Sequence, residues 1–265
     1  MINNITNKNI NDIDSDSWYF ICESDLHFGN WNKIDNDGFA LPRKNNVELI
    51  KKLHSEYNFD FLICNGDMTS HGSYKNNCFC SSGNEFGAFI KKYYEPLLSY
   101  GIPIKLCIGN HDINRLKYPK NALLNFIKNV HDATYDWLSP TKSSCYTFIH
   151  KNILFICMGL YPKNLSWLQE VLSNNKFMHS IIFYHYNTKQ HELMSWWWSN
   201  NIKKKFYNII KNYNVRLIIN GHNHNTYIQL WNGIPNLVCG GEPAIIQIDE
   251  ILFSSPNISV ILTKK

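Results

Sequence analysis

The sequence predicts an α/β fold that closes on a β-rich C-terminal stretch. Short apolar runs of β type alternate with segments whose apolar residues recur at helical spacing, and from Thr226 onward only strand-like runs follow. Composition agrees. The 265 residues are 44% hydrophobic and 18% charged, enough apolar content to close a core and too little charge for a disordered chain. The length suits one domain over residues 18–265, after a loosely ordered tail over residues 1–17.

Each element has its own signal. Trp18–Glu23 is a compact apolar run and reads as a strand. In Asn45–Tyr57, Val47, Leu49, Ile50 and Leu53 fall on one helical face. Phe59–Cys64 is the next strand. Glu85–Tyr100 has helical spacing through Phe86, Phe89, Ile90, Tyr93 and Leu97, and Ile104–Ile108 is a third strand. Pro119–Val130 reads as a helix opened by its proline. Cys145–His150 and Ile153–Met158 form a hairpin about Lys151-Asn152. Leu165–Leu172 is helical, Ser180–Tyr184 is a strand, and Ser195 can cap a helix through Trp196–Asn212. Val215–Asn220, Thr226–Trp231, Leu237–Cys239, Ala244–Ile248 and Ile258–Thr263 complete the strands.

Charge and cysteine usage narrow the function classes. The net charge of +5 rests on lysine, since arginine occurs only at Arg43, Arg115 and Arg216. Arginine-based reading of a nucleic-acid groove is therefore not expected. Mean hydropathy is −0.31 and no run approaches the ~18 apolar residues of a membrane span. The first residues, Met1-Ile2-Asn3-Asn4, lack a basic, apolar leader pattern. Of the eight cysteines, Cys22, Cys64, Cys107 and Cys157 lie inside apolar runs, where free thiols pack as small hydrophobes. Cys78 and Cys80 form only a C-x-C pair, too few ligands for zinc. A reduced, cytoplasmic protein is the expectation.

Metal-binding residue types follow one strand-like run after another: Asp25-Leu26-His27, Gly66-Asp67, Gly109-Asn110-His111-Asp112, His185, and Gly221-His222-Asn223-His224. Ligands of α/β sheets bind at the C-terminal ends of strands. A mixed set of imidazoles, carboxylates and an amide is too large for one zinc, and it suits two ions that share a bridge and act on a phosphate. Gly66, Gly109 and Gly221 would let the chain turn sharply beside the ligand.

These motifs, in this order from residue 25 to residue 224, resemble the calcineurin-like metallophosphoesterases. The resemblance implies a four-layer αββα sandwich with two mixed β-sheets, and two divalent or trivalent ions of Mn, Fe or Zn. By the same resemblance Asp25, His27 and His224 would bind the first ion, Asp67 would bridge, and Asn110, His185 and His222 would bind the second. A hydroxide held between the ions would attack phosphorus. His111 would contact the phosphate and protonate the leaving group, and Asp112 would orient His111.

Two departures stand out. A proline that often follows the lone histidine in the family is replaced by Tyr186-Asn187, and the tyrosine of the purple acid phosphatase branch is missing from Met68-Thr69-Ser70-His71. His71, Arg115, Trp196 and Trp197 are the candidate substrate contacts, with Tyr74, Tyr161 and Tyr186 as further members of an aromatic wall. The expected activity is hydrolysis of phosphomonoesters or phosphodiesters, with small soluble phosphodiester or nucleotide-like substrates favoured. The alternatives are a nuclease, a protein Ser/Thr phosphatase or a non-catalytic scaffold on the same fold. Neither a membrane nor a nucleic acid is expected as partner.

Overall fold

The computed structural model describes residues 17–29, 34–37, 39–71, 85–113, 145–188, 198–249 and 256–263. In chain order the elements are β1 (Ser17–Glu23), α1 (Val47–Tyr57), β2 (Leu62–Asn65), α2 (Glu85–Phe89), a π-helical turn (Ile90–Tyr94), α3 (Glu95–Ser99) and β3 (Ile104–Cys107). Then come β4 (Tyr146–His150), β5 (Ile153–Cys157), α4 (Leu165–Asn174), β6 (His179–Phe183), α5 (Asn200–Ile210) and β7 (Val215–Asn220). β8 (Thr226–Trp231), β9 (Ile234–Cys239), β10 (Ala244–Asp249) and β11 (Asn257–Leu262) end the chain.

The strands form two mixed sheets, ordered β11-β10-β1-β2-β3 and β4-β5-β6-β7-β9-β8. β1, β2 and β3 run parallel, as do β5, β6, β7 and β9. β10, β4 and β8 are antiparallel to their neighbours. Alternation along β1 explains the layering. Trp18, Phe20 and Cys22 face a core shared with Phe155, Phe183 and Leu237 of the other sheet. Tyr19 and Ile21 face the opposite way, onto Ile50 and Leu53 of α1 and Phe89 of α2. The six-stranded sheet turns Leu154, Ile156 and Ile218 outward onto Leu168 and Leu172 of α4 and Phe206 of α5. Helix, sheet, sheet and helix are therefore stacked around three apolar interfaces, the expected αββα sandwich.

Phe155 lies at the centre of the middle interface. It is fully buried, stacked on Phe148 at 4.7 Å and edge-on to Phe20 and Phe61 at 5.4 and 5.3 Å. Phe155→Ala should cost about 3–5 kcal/mol in denaturant unfolding. A loss under about 1 kcal/mol would show that this interface does not hold the sheets together.

Some elements differ from expectation. Residues 85–100 are not one regular helix, because Pro96 has no N–H to donate and the helix passes through a π turn just before it. α5 starts at Asn200, capped by Ser199, whose Oγ accepts from Ile202 N at 3.3 Å, rather than at Trp196 behind Ser195. The tail over 1–16, Cys78, Cys80 and the expected helix at 119–130 lie outside the described residues. Cys22, Cys64, Cys107, Cys145, Cys157 and Cys239 are free and buried. Among the described residues no helix is long and apolar enough to cross a membrane.

Candidate metal centre

Five of the expected ligands share an unusual backbone. Asp25, His27, Asp67, His222 and His224 have φ of 62°, 49°, 52°, 70° and 54°. This left-handed region is strained for any side chain, and strained residues cluster at functional sites where the surroundings enforce them. Each lies in a loop just beyond β1, β2 or β7. The loops are laced together by backbone bonds, with Asp25 N–H donating to Gly66 O and His27 N–H to Asp67 O at 3.0 and 2.9 Å. Gly66, at φ 94°, makes the turn into Asp67. Gly109 has no room for a side chain, since a Cβ there would stand 2.1 Å from Asp67 Oδ1.

Two donor sets result. Ligand atoms of Asp25, His27 and His224 lie within 4.8 Å of one another, and so do those of Asp67, His185 and His222. A third overlapping set, His27, Asp67 and His111, joins them. Asp25 Oδ1 and Asp67 Oδ2 are buried with no hydrogen-bond partner. Imidazoles crowd them instead: His224 Nε2 is 3.4 Å and His27 Nε2 3.8 Å from Asp25 Oδ1, while His185 Nε2 is 3.1 Å and His27 Nε2 3.7 Å from Asp67 Oδ2. Buried carboxylate oxygens left without donors but ringed by imidazole nitrogens fit cations of the borderline class. Asn110 Oδ1 joins the second set, 3.2 Å from His185 Nε2.

In Asp25, Asp67 and His185 the other oxygen or nitrogen is committed, which aims the first. Asp25 Oδ2 accepts from Ser24 Oγ at 2.7 Å and His222 N at 2.9 Å. Asp67 Oδ1 accepts from His111 N at 2.8 Å. His185 Nδ1 donates to Asn65 O at 3.0 Å, leaving Nε2 for a cation. Ser24 and Asn65 were not singled out in the sequence, and only their position beside a ligand residue signals them.

Electrostatics follow from burial. Burial pulls the His185 pKa down, yet the Asp67 carboxylate outweighs it and pushes it up to about 9. Burial and the neighbouring His185 push His222 down to about 3. Burial alone would raise Asp25, but His224 and His27 hold it well below the usual carboxylate range.

Asp112 corrects an expectation. It does not touch the imidazole of His111, whose Nδ1 instead donates to Ser70 O at 2.7 Å. Asp112 Oδ1 accepts from Thr69 N and Oγ1 at 2.9 and 3.0 Å, and Oδ2 accepts from Gly109 N at 2.8 Å. Adjacent residues in a turn point apart, so Asp112 staples the loop after β2 to the loop after β3. Burial and the charge of Asp67 push its carboxyl up to about 7.

Of the candidate substrate contacts, His71 turns to the buried Glu85, its Nδ1 2.8 Å from Oε1. Arg115, Trp196, Trp197 and Tyr74 lie outside the described residues. Trp198, by contrast, is buried against Tyr184 and Phe206, with Nε1 donating to Asn187 O at 3.1 Å. Above it Tyr161 stacks on Tyr186 at 5.9 Å, and Tyr186 stands edge-on to His222 at 4.9 Å.

Comparison with known proteins accords with this arrangement. The calcineurin-like phosphoesterase family matches residues 20–226. No curated protein matches the sequence significantly. In fold the chain is similar to a dimetal phosphatase from Danio rerio, with TM-score 0.61 and 13% identity over 87% of this chain and 94% of the other. It is similar to a purple acid phosphatase from yellow lupin, with TM-score 0.57 and 10% identity over 93% of this chain and 54% of that one. It is similar also to the anchor in the inner membrane complex of Plasmodium, with TM-score 0.55 and 16% identity over 94% and 90%.

Proposed function

The chain belongs to the calcineurin-like phosphoesterase family, a family of metal-dependent phosphoric ester hydrolases, and on that premise we propose that it is a two-cation hydrolase of small phosphoric esters, phosphodiester and nucleotide-like substrates foremost. The observation that carries this reading is Asp67. Its Oδ2 is buried, has no hydrogen-bond donor, and lies within 3.7 Å of His27 Nε2 and 3.1 Å of His185 Nε2, one from each donor set. Asp25, His27 and His224 would hold one cation, Asn110, His185 and His222 the other, with Asp67 shared.

Two bound cations would supply positive charge for the phosphoryl oxygens and acidify a water at neutral pH. The chain's own residues do the rest. Asn110 has an amide N–H to offer a phosphoryl oxygen while its Oδ1 faces the second set. His111 commits Nδ1–H to Ser70 O, so its proton traffic passes through Nε2. To give a proton from Nε2 it must be an imidazolium, with Ser70 O already accepting the other N–H. Tyr186 is buried beside His222 and stacked under Tyr161, so this pair packs the His222 loop against the core.

The substrate class is tested on Mn-loaded protein with a nitrophenyl monoester, bis-nitrophenyl phosphate and cyclic nucleotides. At least one diester should exceed the monoester in kcat/KM by about tenfold or more. A clear preference for the monoester would overturn the diester reading. Uniformly negligible rates with both cations bound would turn the reading toward a binding role, as in the Plasmodium anchor.

A further inference from the structure

Tyr227 stands on the edge strand β8, outside both donor sets. Its phenol oxygen accepts from Asn187 Nδ2 at 2.9 Å and from Asn223 Nδ2 at 3.2 Å. Asn187 follows His185 by two residues, and Asn223 separates His222 from His224. One oxygen thus ties together both loops that bring His185, His222 and His224 to the site.

The tie is braced on its far side. Gln229 is two residues along β8 and therefore on the same face as Tyr227. Its Nε2 donates to Asn187 Oδ1 at 3.2 Å and to Asn236 Oδ1 at 3.0 Å. With Oδ1 of Asn187 committed to Gln229, the Asn187 amide must present Nδ2 to Tyr227. Asn236 Nδ2 in turn donates to Asn220 Oδ1 at 2.6 Å, which also receives Thr188 Oγ1 at 2.9 Å. Asn187, Thr188, Asn220 and Asn236 are buried. Buried amides are costly unless bonded, so such a network holds one arrangement. Asn223 also sits between two residues strained to φ 70° and 54°, and a side-chain anchor there helps to enforce that turn.

We propose that Tyr227 is a positioning residue for the second cation: through Asn187 and Asn223 it clamps the His185 loop to the His222–His224 loop and sets how closely His185 and His222 converge on Asp67. The proposal rests on the two-cation reading above. Tyr227→Phe keeps the ring and removes only the shared acceptor. Metal-free full-length protein is titrated with Mn²⁺ by calorimetry, and the second-site step is identified as the one that disappears in His185→Ala. In Tyr227→Phe that step should weaken by about 10–100-fold, while the other, which shares only His224 with the clamped loops, weakens by less. Asn223→Ala should reproduce the loss, and the double variant should add nothing beyond either single change. If Tyr227→Phe does not fold, Asn223→Ala, which keeps the tyrosine, carries the measurement. Both steps at wild-type strength in a folded variant would overturn the clamp. So would equal weakening of both steps together with a lower melting temperature of the metal-free protein, the mark of a merely structural role. Wild-type protein that takes up fewer than two Mn²⁺ would instead overturn the two-cation reading itself.

Discussion

Asp67→Asn is expected to bring bound metal from near two ions per chain to near none and to abolish hydrolysis. The two carboxylate oxygens have separate duties. Oδ1 accepts the backbone N–H of His111 at 2.8 Å, and Oδ2 faces His185 Nε2 at 3.1 Å and His27 Nε2 at 3.7 Å. An amide of the same shape has one acceptor and one donor. Its oxygen can stay with His111, which aims an NH₂ at both donor sets. Flipped, it sets NH₂ against the His111 N–H and leaves that donor unmet. Either way the negative charge between the donor sets is gone, and with it the anion that two cations held there would share. The isosteric change should leave the fold in place, because Asp67 lies in a loop outside the three apolar interfaces. Elemental analysis after loading with Mn, Fe or Zn reads the outcome. Asp60→Asn makes the matched control, since Asp60 precedes β2, pairs with His150 at 2.7 Å, and should keep both ions. Retention of two ions by Asp67→Asn would remove the bridging role.

Much of this site was legible in the sequence because strand ends in a sheet are local features. A short apolar run followed by Asp, Asn or His marks both the strand and the loop that leaves it, so the residues of both donor sets could be named in order. Side-chain partners could not be named in the same way. Asp112 follows His111, which suggested contact, but the turn sends it to Gly109 and Thr69 while His111 finds a backbone carbonyl. Nothing in a sequence announces which carbonyl a histidine will meet. Pro235 shows another limit. The strand was read from Leu237, yet β9 begins at Ile234 and includes this proline. β7 pairs with β9 only from Asn236 on, so the missing N–H of Pro235 is not required there. The π turn before Pro96 was hidden because Phe86, Phe89, Ile90, Tyr93 and Leu97 keep spacings of three and four through it. The Tyr227 tie is non-local, joining residues 187, 223 and 227 through side-chain amides that an asparagine-rich chain offers at many positions.

His111→Ala should keep both ions and lose about 10²–10⁴ in turnover. Metal retention follows from the contacts. The link from His111 to Asp67 runs through the backbone N–H, which alanine preserves, and His111 has only its side chain in the overlapping donor set. What is lost is an imidazole held by Ser70 O at 2.7 Å and packed edge-on against His27 at 4.7 Å, with Nε2 the ring nitrogen outside the Ser70 bond. The size of the loss should depend on the leaving group. An aryl oxide departs readily without a proton, whereas an alkoxide needs one as the P–O bond breaks. The deficit of His111→Ala should therefore be larger on an alkyl ester than on a nitrophenyl ester of the same phosphate. Equal deficits on both would assign the imidazole to holding the phosphate instead, and unchanged turnover would remove it from the reaction altogether. Because Ser70 supplies the orienting acceptor through its backbone, no side-chain substitution at Ser70 deletes it. The leaving-group comparison is thus the most direct way to separate proton transfer from positioning at this residue.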